Sequence, residues 1–287
     1  MSLTNNPIFA KIKKQFETDK NKRTEDSEMS VKLLIFDKDG VIFDTEPGKT
    51  KSYWLALREL AKIAGLKEVP DESLDPIHHF WDEADYCVWH TKYLTGKSRQ
   101  EAVSGIFDRF GKMIDQVMAE QSAAVGEALA GGGKEVKKEL VNPKLLSDNQ
   151  RIFSALRLNL YNDIPLCERA RPIKPTIGLM KMAIRAGNRI ALITESEYER
   201  TVREMEQLIP LGLNLLCFRV AACKDGIFVA GQKTAEGGEK QEMYKRIMSL
   251  AACEPQECLV VEDTDKGQAA ALAAGLTCLM VSFPGAS

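Results

Sequence analysis

Residues 31–40, VKLLIFDKDG, join a short apolar run to two aspartates and a glycine. The run Val31–Phe36 contains only one charged residue, and a continuous apolar segment of this kind predicts a strand buried on both faces, as in a parallel sheet. Asp37 and Asp39 follow the predicted end of that strand. Because one strand cannot form a domain, the segment must join other strands from further along the 287-residue chain.

From Arg171 onward, short apolar runs alternate with amphipathic segments, which is the pattern of a parallel α/β sheet. The predicted strands are Arg189–Thr194, Leu213–Val220, Ile227–Ala230, Cys258–Glu262 and Leu276–Ser282. The predicted helices are Thr176–Ala186, Glu197–Leu208, Glu239–Ala252 and Lys266–Ala274. Together with the strand at 31–36, they predict an α/β fold with a Rossmann-like parallel sheet core.

Residues 45–165 show apolar side chains at three- and four-residue steps and no strand alternation, which predicts helices. We therefore expect a helical insertion that splits the α/β domain into 31–44 plus 166–287, a normal domain size of about 136 residues. A glycine run at 131–133 predicts a flexible connection within the insertion. Residues 1–30 are polar and are expected to form a mobile lead-in.

Composition excludes several classes of protein. The chain has 39 Lys+Arg against 41 Asp+Glu, a net charge of −2, which disfavours binding to nucleic acid or an anionic membrane. Its seven cysteines are scattered without a CxxC pair, so neither a disulfide framework nor a structural zinc site is predicted. The longest apolar stretch, Ala269–Phe283, is too short to span a membrane, and the first residues lack secretory signal features. These features predict a cytoplasmic protein.

All three tryptophans and all three histidines lie between residues 54 and 90. They are Trp54, Trp81, Trp89, His78, His79 and His90. His79 and His90 are eleven residues apart, about three helical turns, and on one helix they would share a face. Their spacing does not match a zinc motif. We interpret the cluster as packing and surface residues of the insertion, and the alternative is that one or two of them face a substrate.

Four carboxylates follow predicted strands: Asp37 and Asp39 after the first, and Glu262 and Asp263 at the end of the strand Cys258–Glu262. In open parallel sheets, ligands bind beyond the carboxyl ends of the strands. Carboxylates that converge there repel one another unless a cation joins them. Because the donors are all oxygen atoms, Mg²⁺ is the predicted ion.

Asp-Lys-Asp-Gly can be compared with three other local motifs. A calcium loop counted from Asp37 needs glycine and glutamate where Ile42 and Gly48 stand. A phosphate-binding loop that ends in Gly48-Lys49-Thr50 needs glycine where Phe43 stands. A plain turn remains the alternative for these four residues taken alone.

Two longer segments carry a family resemblance. Phe36–Glu46, FDKDGVIFDTE, resembles the first motif of the haloacid dehalogenase-like phosphohydrolases, in the branch that contains β-phosphoglucomutase and phosphoglycolate phosphatase. Leu259–Gly275, LVVEDTDKGQAAALAAG, resembles the fourth motif of that branch, and Arg189–Ser196 stands where the second belongs. The resemblance covers about half of the chain. It implies that the block 45–165 is an enlarged α-helical cap domain, which closes over the active site and excludes water.

The resemblance also implies roles for the carboxylates. Asp37 would attack phosphorus and form an aspartyl-phosphate, which divides one difficult displacement into two easier ones. Asp39 would protonate the leaving oxygen and then activate water. Mg²⁺ would be held by Asp37, the Asp39 carbonyl and Asp263, with or without Glu262.

The phosphate-holding positions depart from the family pattern at two places. Thr194 and the amides after it, including that of Glu195, are expected to bind phosphate oxygens at the start of the next helix. Either the Glu195 side chain turns away and only its amide serves, or its charge weakens phosphate binding. A further alternative is that Glu195 begins that helix with Ser196 as N-cap. The family's lysine is expected six residues before Tyr244, where Gly238 stands.

Two lysines near Gly238 are candidates for the missing cation that neutralises the phosphoryl group. We prefer Lys240, and Lys233 is the second choice. With either lysine, the chain is expected to be a Mg²⁺-dependent phosphatase that acts on a small phosphorylated metabolite. It is expected to be a monomer or a homodimer, without a nucleic-acid or membrane partner. The alternatives are a phosphosugar mutase and a catalytically degenerate family member.

Overall fold

The computed structural model describes residues 31–69, 79–95, 97–130, 132–145 and 147–282, and the predicted lead-in 1–30 lies outside them. In chain order, the described helices and strands are β1 Leu33–Asp37, β2 Phe43–Asp44, α1 Glu46–Ile63, β3 Lys67–Val69, β4 His79–Trp81, α2 Glu83–Tyr93, α3 Arg99–Glu120, α4 Ser122–Leu129, α5 Lys134–Leu140, α6 Asp148–Asp163, α7 Leu166–Arg169, β5 Arg171–Pro172, α8 Lys174–Arg185, β6 Arg189–Ile193, α9 Tyr198–Met205, β7 Phe218–Cys223, β8 Gly226–Val229, β9 Gln232–Ala235, α10 Lys240–Ala251, β10 Cys258–Glu262, α11 Asp265–Ala273 and β11 Thr277–Met280.

The chain divides into two compact units. Of the described residues, 31–44 and 171–282 form the core unit, and those within Thr45–Ala170 form the inserted unit. The inserted unit extends past the predicted boundary at residue 165 because α7 belongs to it. Lys51 on α1 pairs with Glu168 on α7 at 2.7 Å. At Gly48, a Cβ would lie 2.6 Å from the Arg169 Cα, so only glycine allows this approach of the two helices.

The core unit is built on a seven-stranded sheet in the order β11-β10-β1-β6-β7-β8-β9. The strands from β11 to β7 are parallel, and β8 and β9 are antiparallel additions at one edge. In the centre, Ile35 is in register with Val260 on β10 and Ala191 on β6. Leu33, Leu34, Ile35 and Phe36 are fully buried, as the prediction of a strand covered on both faces requires. The fold is the predicted α/β, Rossmann-like architecture with a helical insertion.

The region after β6 differs from the prediction in three places. The predicted strand Leu213–Val220 begins too early, since Leu215–Cys217 form a 3-10 turn capped by the Asn214 side chain and the strand is Phe218–Cys223. The predicted helix Glu197–Leu208 stops at Met205 and continues as a 3-10 helix, Glu206–Leu211, that contains Pro210. Strand β9 was not predicted, because its sequence QKTA lacks apolar alternation and lies at the exposed edge.

The inserted unit is mainly helical, but it also contains a two-stranded parallel sheet of β3 and β4. The prediction of a block without strands is therefore wrong, because three-residue strands are too short for alternation to show in the sequence. The same sheet corrects the histidine prediction. His79 lies on β4 and His90 on α2, so they do not share a helical face. His78 and part of the predicted connection at 131–133 lie outside the described residues.

The tryptophans form part of the hydrophobic core of the inserted unit. Trp54, Trp81 and Trp89 are buried in one apolar cluster, and the rings of Trp81 and Phe110 meet edge to face with centroids 4.9 Å apart. His90 is also buried, and its Nδ1 lies 3.1 Å from the Thr50 hydroxyl. Burial lowers the pKa of His90 to about 4. These four residues are packing residues, as the main interpretation had it.

In the part of the chain that the structure describes, no helix combines the length and apolarity needed to cross a bilayer.

Candidate active site

The carboxyl ends of three neighbouring parallel strands bring the predicted carboxylates together. Strand β1 ends in Asp37, β10 ends in Glu262, and β6 is followed by Thr194. Carboxylate oxygens of Asp37, Glu262 and Asp263 all lie within 4.8 Å of one another. The in-register pairing of β1 with β6 and β10 makes this convergence inevitable once the sheet forms.

Lys240, the first residue of α10, lies against two of these carboxylates. Its ammonium is 2.7 Å from Asp37 Oδ1 and 2.5 Å from Glu262 Oε1, and all three side chains are buried. Burial lowers the pKa of Lys240, but the two carboxylates outweigh burial and raise it overall. Lys233 instead lies on the exposed edge strand β9, and its ammonium pairs with Glu236 at 2.8 Å. The structure thus places Lys240, and not Lys233, beside Asp37.

Asp37 lies in an environment that disfavours its own negative charge. Burial raises the pKa of the Asp37 carboxyl to about 8, the neighbouring Glu262 and Asp39 act in the same direction, and Lys240 opposes them. A second positive charge nearby would stabilise the ionised form of this carboxylate. The electrostatics of the cluster therefore favour a bound cation in addition to Lys240.

Glu262 is fully buried beneath the cluster. Its Oε1 accepts hydrogen bonds from Lys240 and from the Tyr244 hydroxyl, the latter at 2.9 Å. Glycine is required at position 267, because a Cβ there would overlap the Glu262 carboxylate. Burial, and next the Glu262 charge, raise the pKa of Tyr244 well above its usual range, so Tyr244 remains a donor. Glu262 thus holds Lys240 and Tyr244 on the same carboxylate oxygen.

The residues present fit a hard divalent cation. The donor set consists of carboxylate oxygens alone, as Mg²⁺ prefers. The turn after β1 is shaped around Asp263: Gly40 has φ +83°, and a Cβ at this position would overlap the Asp263 carboxylate. Asp37 and Asp263 would be the ligands on the open side of the cluster, with Glu262 behind them.

The Asp39 carboxylate does not join the cluster, and this leaves only its carbonyl as a candidate ligand. Its Oδ1 accepts a hydrogen bond from Lys38 at 3.0 Å, and its Oδ2 lies 3.2 Å from the Ser196 hydroxyl and 3.5 Å from that of Thr194. The carboxylate therefore faces the loop after β6, where the phosphate-holding residues were predicted.

That loop departs from the prediction in its details. The Glu195 side chain is 61% exposed and pairs with Lys266 at 2.6 Å, so it is turned to the surface. Ser196 is not the N-cap of the next helix, as one alternative had it, because α9 is capped by Glu197. The first amide of that helix, on Tyr198, donates to the Asp225 carboxylate at 2.8 Å. The groups of this loop that lie near Asp39 are the Thr194 and Ser196 hydroxyls, and the Ser196 amide donates to the Thr194 hydroxyl at 3.0 Å.

Sequence reasoning missed three side chains at this site. Tyr244 donates to Glu262 of the cluster, and Ser196 and Lys38 donate to the two oxygens of Asp39. Ser196 carried a signal, because it follows a strand end two residues after Thr194. Lys38 carried one too, since a charged residue directly after a buried strand needs a partner, but nothing local identifies that partner.

Comparison with known proteins agrees with the architecture. The family model of haloacid dehalogenase-like hydrolases matches residues 31–275. An archaeal β-phosphoglucomutase from Pyrococcus sp. strain ST 04 shares the fold, with a TM-score of 0.51 and 17% identity over 86% of this chain and 85% of that one.

Two further solved structures are less similar in shape. CbbY from Rhodobacter sphaeroides in complex with phosphate has a TM-score of 0.43 and 20% identity over 88% of this chain and 87% of that one. A predicted phosphoglycolate phosphatase from Haemophilus somnus has a TM-score of 0.47 and 15% identity over 88% and 84%. A search of curated proteins finds no match. The match to the family model spans well over half of the chain, and the chain therefore belongs to the haloacid dehalogenase-like hydrolases.

Proposed function

We propose that this chain is a Mg²⁺-dependent phosphohydrolase that cleaves a small phosphate monoester through an aspartyl-phosphate on Asp37. The observation that carries the proposal is the placement of Asp37, which ends the central strand beside Lys240 at 2.7 Å and within the carboxylate cluster. A nucleophilic carboxylate needs positive charge around it, because both it and the phosphate are anionic. Bound Mg²⁺ supplies further positive charge and orients the phosphate.

The residues then act in two steps. In the first, an Asp37 oxygen attacks phosphorus, the bond from phosphorus to the ester oxygen breaks, and Asp39 gives a proton to that oxygen. In the second, Asp39 takes a proton from water, the water oxygen attacks phosphorus, and the Asp37–phosphorus bond breaks. The products are the alcohol, inorganic phosphate and the unchanged enzyme. Lys240 stays beside Asp37 throughout and balances the charge of the transferring group.

Thr194 and the amides after it are proposed to hold the phosphate oxygens, because they follow a neighbouring parallel strand and the Thr194 hydroxyl lies 3.5 Å from Asp39. The substrate is proposed to be a small phosphorylated metabolite, because the chain carries no large excess of positive charge for a polyanion. A cytoplasmic location is supported by the seven cysteines, all of which are free.

The test is a panel of sugar phosphates, phosphoglycolate and nucleotides, assayed for inorganic phosphate with Mg²⁺ or with EDTA. We expect release that requires Mg²⁺ and that is lost in Asp37→Asn, together with a phosphoenzyme sensitive to hydroxylamine. An isomerised sugar phosphate without net phosphate release would make the chain a mutase. Equal activity of Asp37→Asn and the wild type would remove the proposed nucleophile.

A further inference from the structure

Lys38 stands between the two aspartates of the first motif, and its side chain has no exposure to solvent. A fully buried lysine is rare in proteins, because transfer of an ammonium out of water is costly unless it is paired. Its partner is Glu204 on α9, which is also fully buried and forms an ion pair with it. Arg200, one turn earlier on α9, donates to the other Glu204 oxygen at 2.8 Å.

The Lys38 ammonium makes a second contact, and this one reaches the active site. It donates to Asp39 Oδ1 at 3.0 Å, while Asp39 Oδ2 faces the hydroxyls of Ser196 and Thr194. Each oxygen of the Asp39 carboxylate therefore has a donor on a different element. Such an arrangement fixes the rotation of the carboxylate about its own axis, which one donor alone would leave free.

We propose that Lys38, anchored by Glu204, is a positioning residue that holds Asp39 for proton transfer in the reaction. The inference rests on the proposed function, in which Asp39 protonates the ester oxygen as its bond to phosphorus breaks. An ammonium has three N–H groups in tetrahedral directions. With one directed to Glu204, the direction of another toward Asp39 is set by the position of α9.

The chemical consequence concerns the leaving group. An ester oxygen that leaves as a stable anion needs no proton, whereas an oxygen of low acidity needs one as the bond breaks. A loss of Asp39 orientation should therefore slow the cleavage of poor leaving groups and spare good ones. A general loss of structure, or damage to Asp37, would slow both.

The experiment compares two aryl esters of similar size in the full-length protein with Mg²⁺: phenyl phosphate and 2,4-dinitrophenyl phosphate. For each, kcat/KM reports the steps up to departure of the phenol. The main variant is the double substitution Lys38→Met with Glu204→Leu, because it removes both buried charges together and leaves no carboxylate unpaired in the interior. Arg200 is partly exposed and can turn to solvent.

We expect the double variant to lose at least about 10-fold in kcat/KM for phenyl phosphate and less than about 2-fold for dinitrophenyl phosphate. The upper limit is the full contribution of a general acid, about 10²–10⁴-fold. Glu204→Gln, which retains the volume and Lys38, should shift the same ratio in the same direction by a smaller factor. If the double variant fails to fold, as judged by circular dichroism, Glu204→Gln decides the question.

Lys32→Met is the matched control. Lys32 lies just before the other end of β1 and pairs there with Glu257, away from the cluster, so its loss should leave the ratio of the two esters unchanged. An unchanged ratio in a folded double variant would overturn the inference and leave Lys38–Glu204 as a tie between β1 and α9. If the wild type releases phosphate from neither ester, the proposed function fails instead.

Discussion

Replacement of Lys240 with methionine tests the electrostatic basis of the active site. The substitution retains most of the side-chain length and removes the ammonium that lies 2.7 Å from Asp37 and 2.5 Å from Glu262. Loss of one partner from a buried ion pair costs about 3–5 kcal/mol, because the remaining charge is left in the interior without compensation. For a domain of this size, such a loss lowers the Tm by roughly 6–20 °C.

The effect should depend on pH in a defined direction. The pKa of Asp37 is already raised to about 8 in the folded protein, against about 4 for a free aspartate, and removal of Lys240 raises it further. The folded state of the variant then binds protons that the unfolded state has released. Below about pH 8 the Asp37 carboxyl is protonated in both folded proteins, so the unfolding free energy of the variant, relative to the wild type, should fall as the pH rises above about 8.

The assay is guanidinium chloride unfolding of the metal-free protein at about pH 6 and about pH 9.5, on either side of the Asp37 pKa, together with phosphate release at saturating Mg²⁺. We expect the larger stability loss at about pH 9.5. We also expect a decrease in kcat of about 10²–10³-fold, the usual cost of one electrostatic stabiliser. Lys233→Met is the control, because that lysine pairs with Glu236 at the surface and should change stability by less than about 0.5 kcal/mol. Equal stability losses at the two pH values, or equal effects of the two substitutions, would refute the reasoning.

Three further predictions follow from the same structure. Addition of Mg²⁺ at 100 times its Kd should stabilise the wild type by about 2.7 kcal/mol and raise its Tm accordingly. A thermal melt of Asp263→Asn should show no such rise, and a rise of equal size in this variant would place the ion elsewhere. Gly40→Ala should lower the free energy of unfolding by about 1–2 kcal/mol because of its positive φ, and by about 1–3 kcal/mol more because it displaces Asp263. In the same denaturant titration, Gly275→Ala should show only the first of these costs, since Gly275 has φ +81° and open space around a Cβ. The pKa of His90 falls from 6.5 to about 4 on folding, so the unfolded state binds more protons between these values, and the inserted unit should lose about 3 kcal/mol of unfolding free energy as the pH drops from 6.5 to 4. His90→Gln should flatten this dependence of stability on pH, measured by circular dichroism. A variant whose stability depends on pH in the same way as the wild type would count against His90.

Local pattern was sufficient wherever burial alone decides the structure. Strand β10 has the bounds that its sequence CLVVE predicted, and the run that ends in Asp37 is buried on both faces as expected. Short elements in polar or mixed sequence were not predicted, since β9 and the β3–β4 pair are too short to show an alternation of apolar and polar residues. The start of the strand predicted at 213–220 was wrong, because Asn214 caps a 3-10 turn whose apolar residues look like part of a strand in the sequence.

The sequence by itself determined the class of fold and the carboxylates at the strand ends, because periodic burial and the order of strands are written locally along the chain. It ranked Lys240 before Lys233 but did not decide between them, since neither lysine stands six residues before Tyr244, where Gly238 is found. Only the tertiary structure placed Lys240 against Asp37, 203 residues away, and Glu204 against Lys38, 166 residues away. The physical reason is that a buried ion pair depends on where the sheet and helices bring two distant side chains, and no local pattern contains that distance.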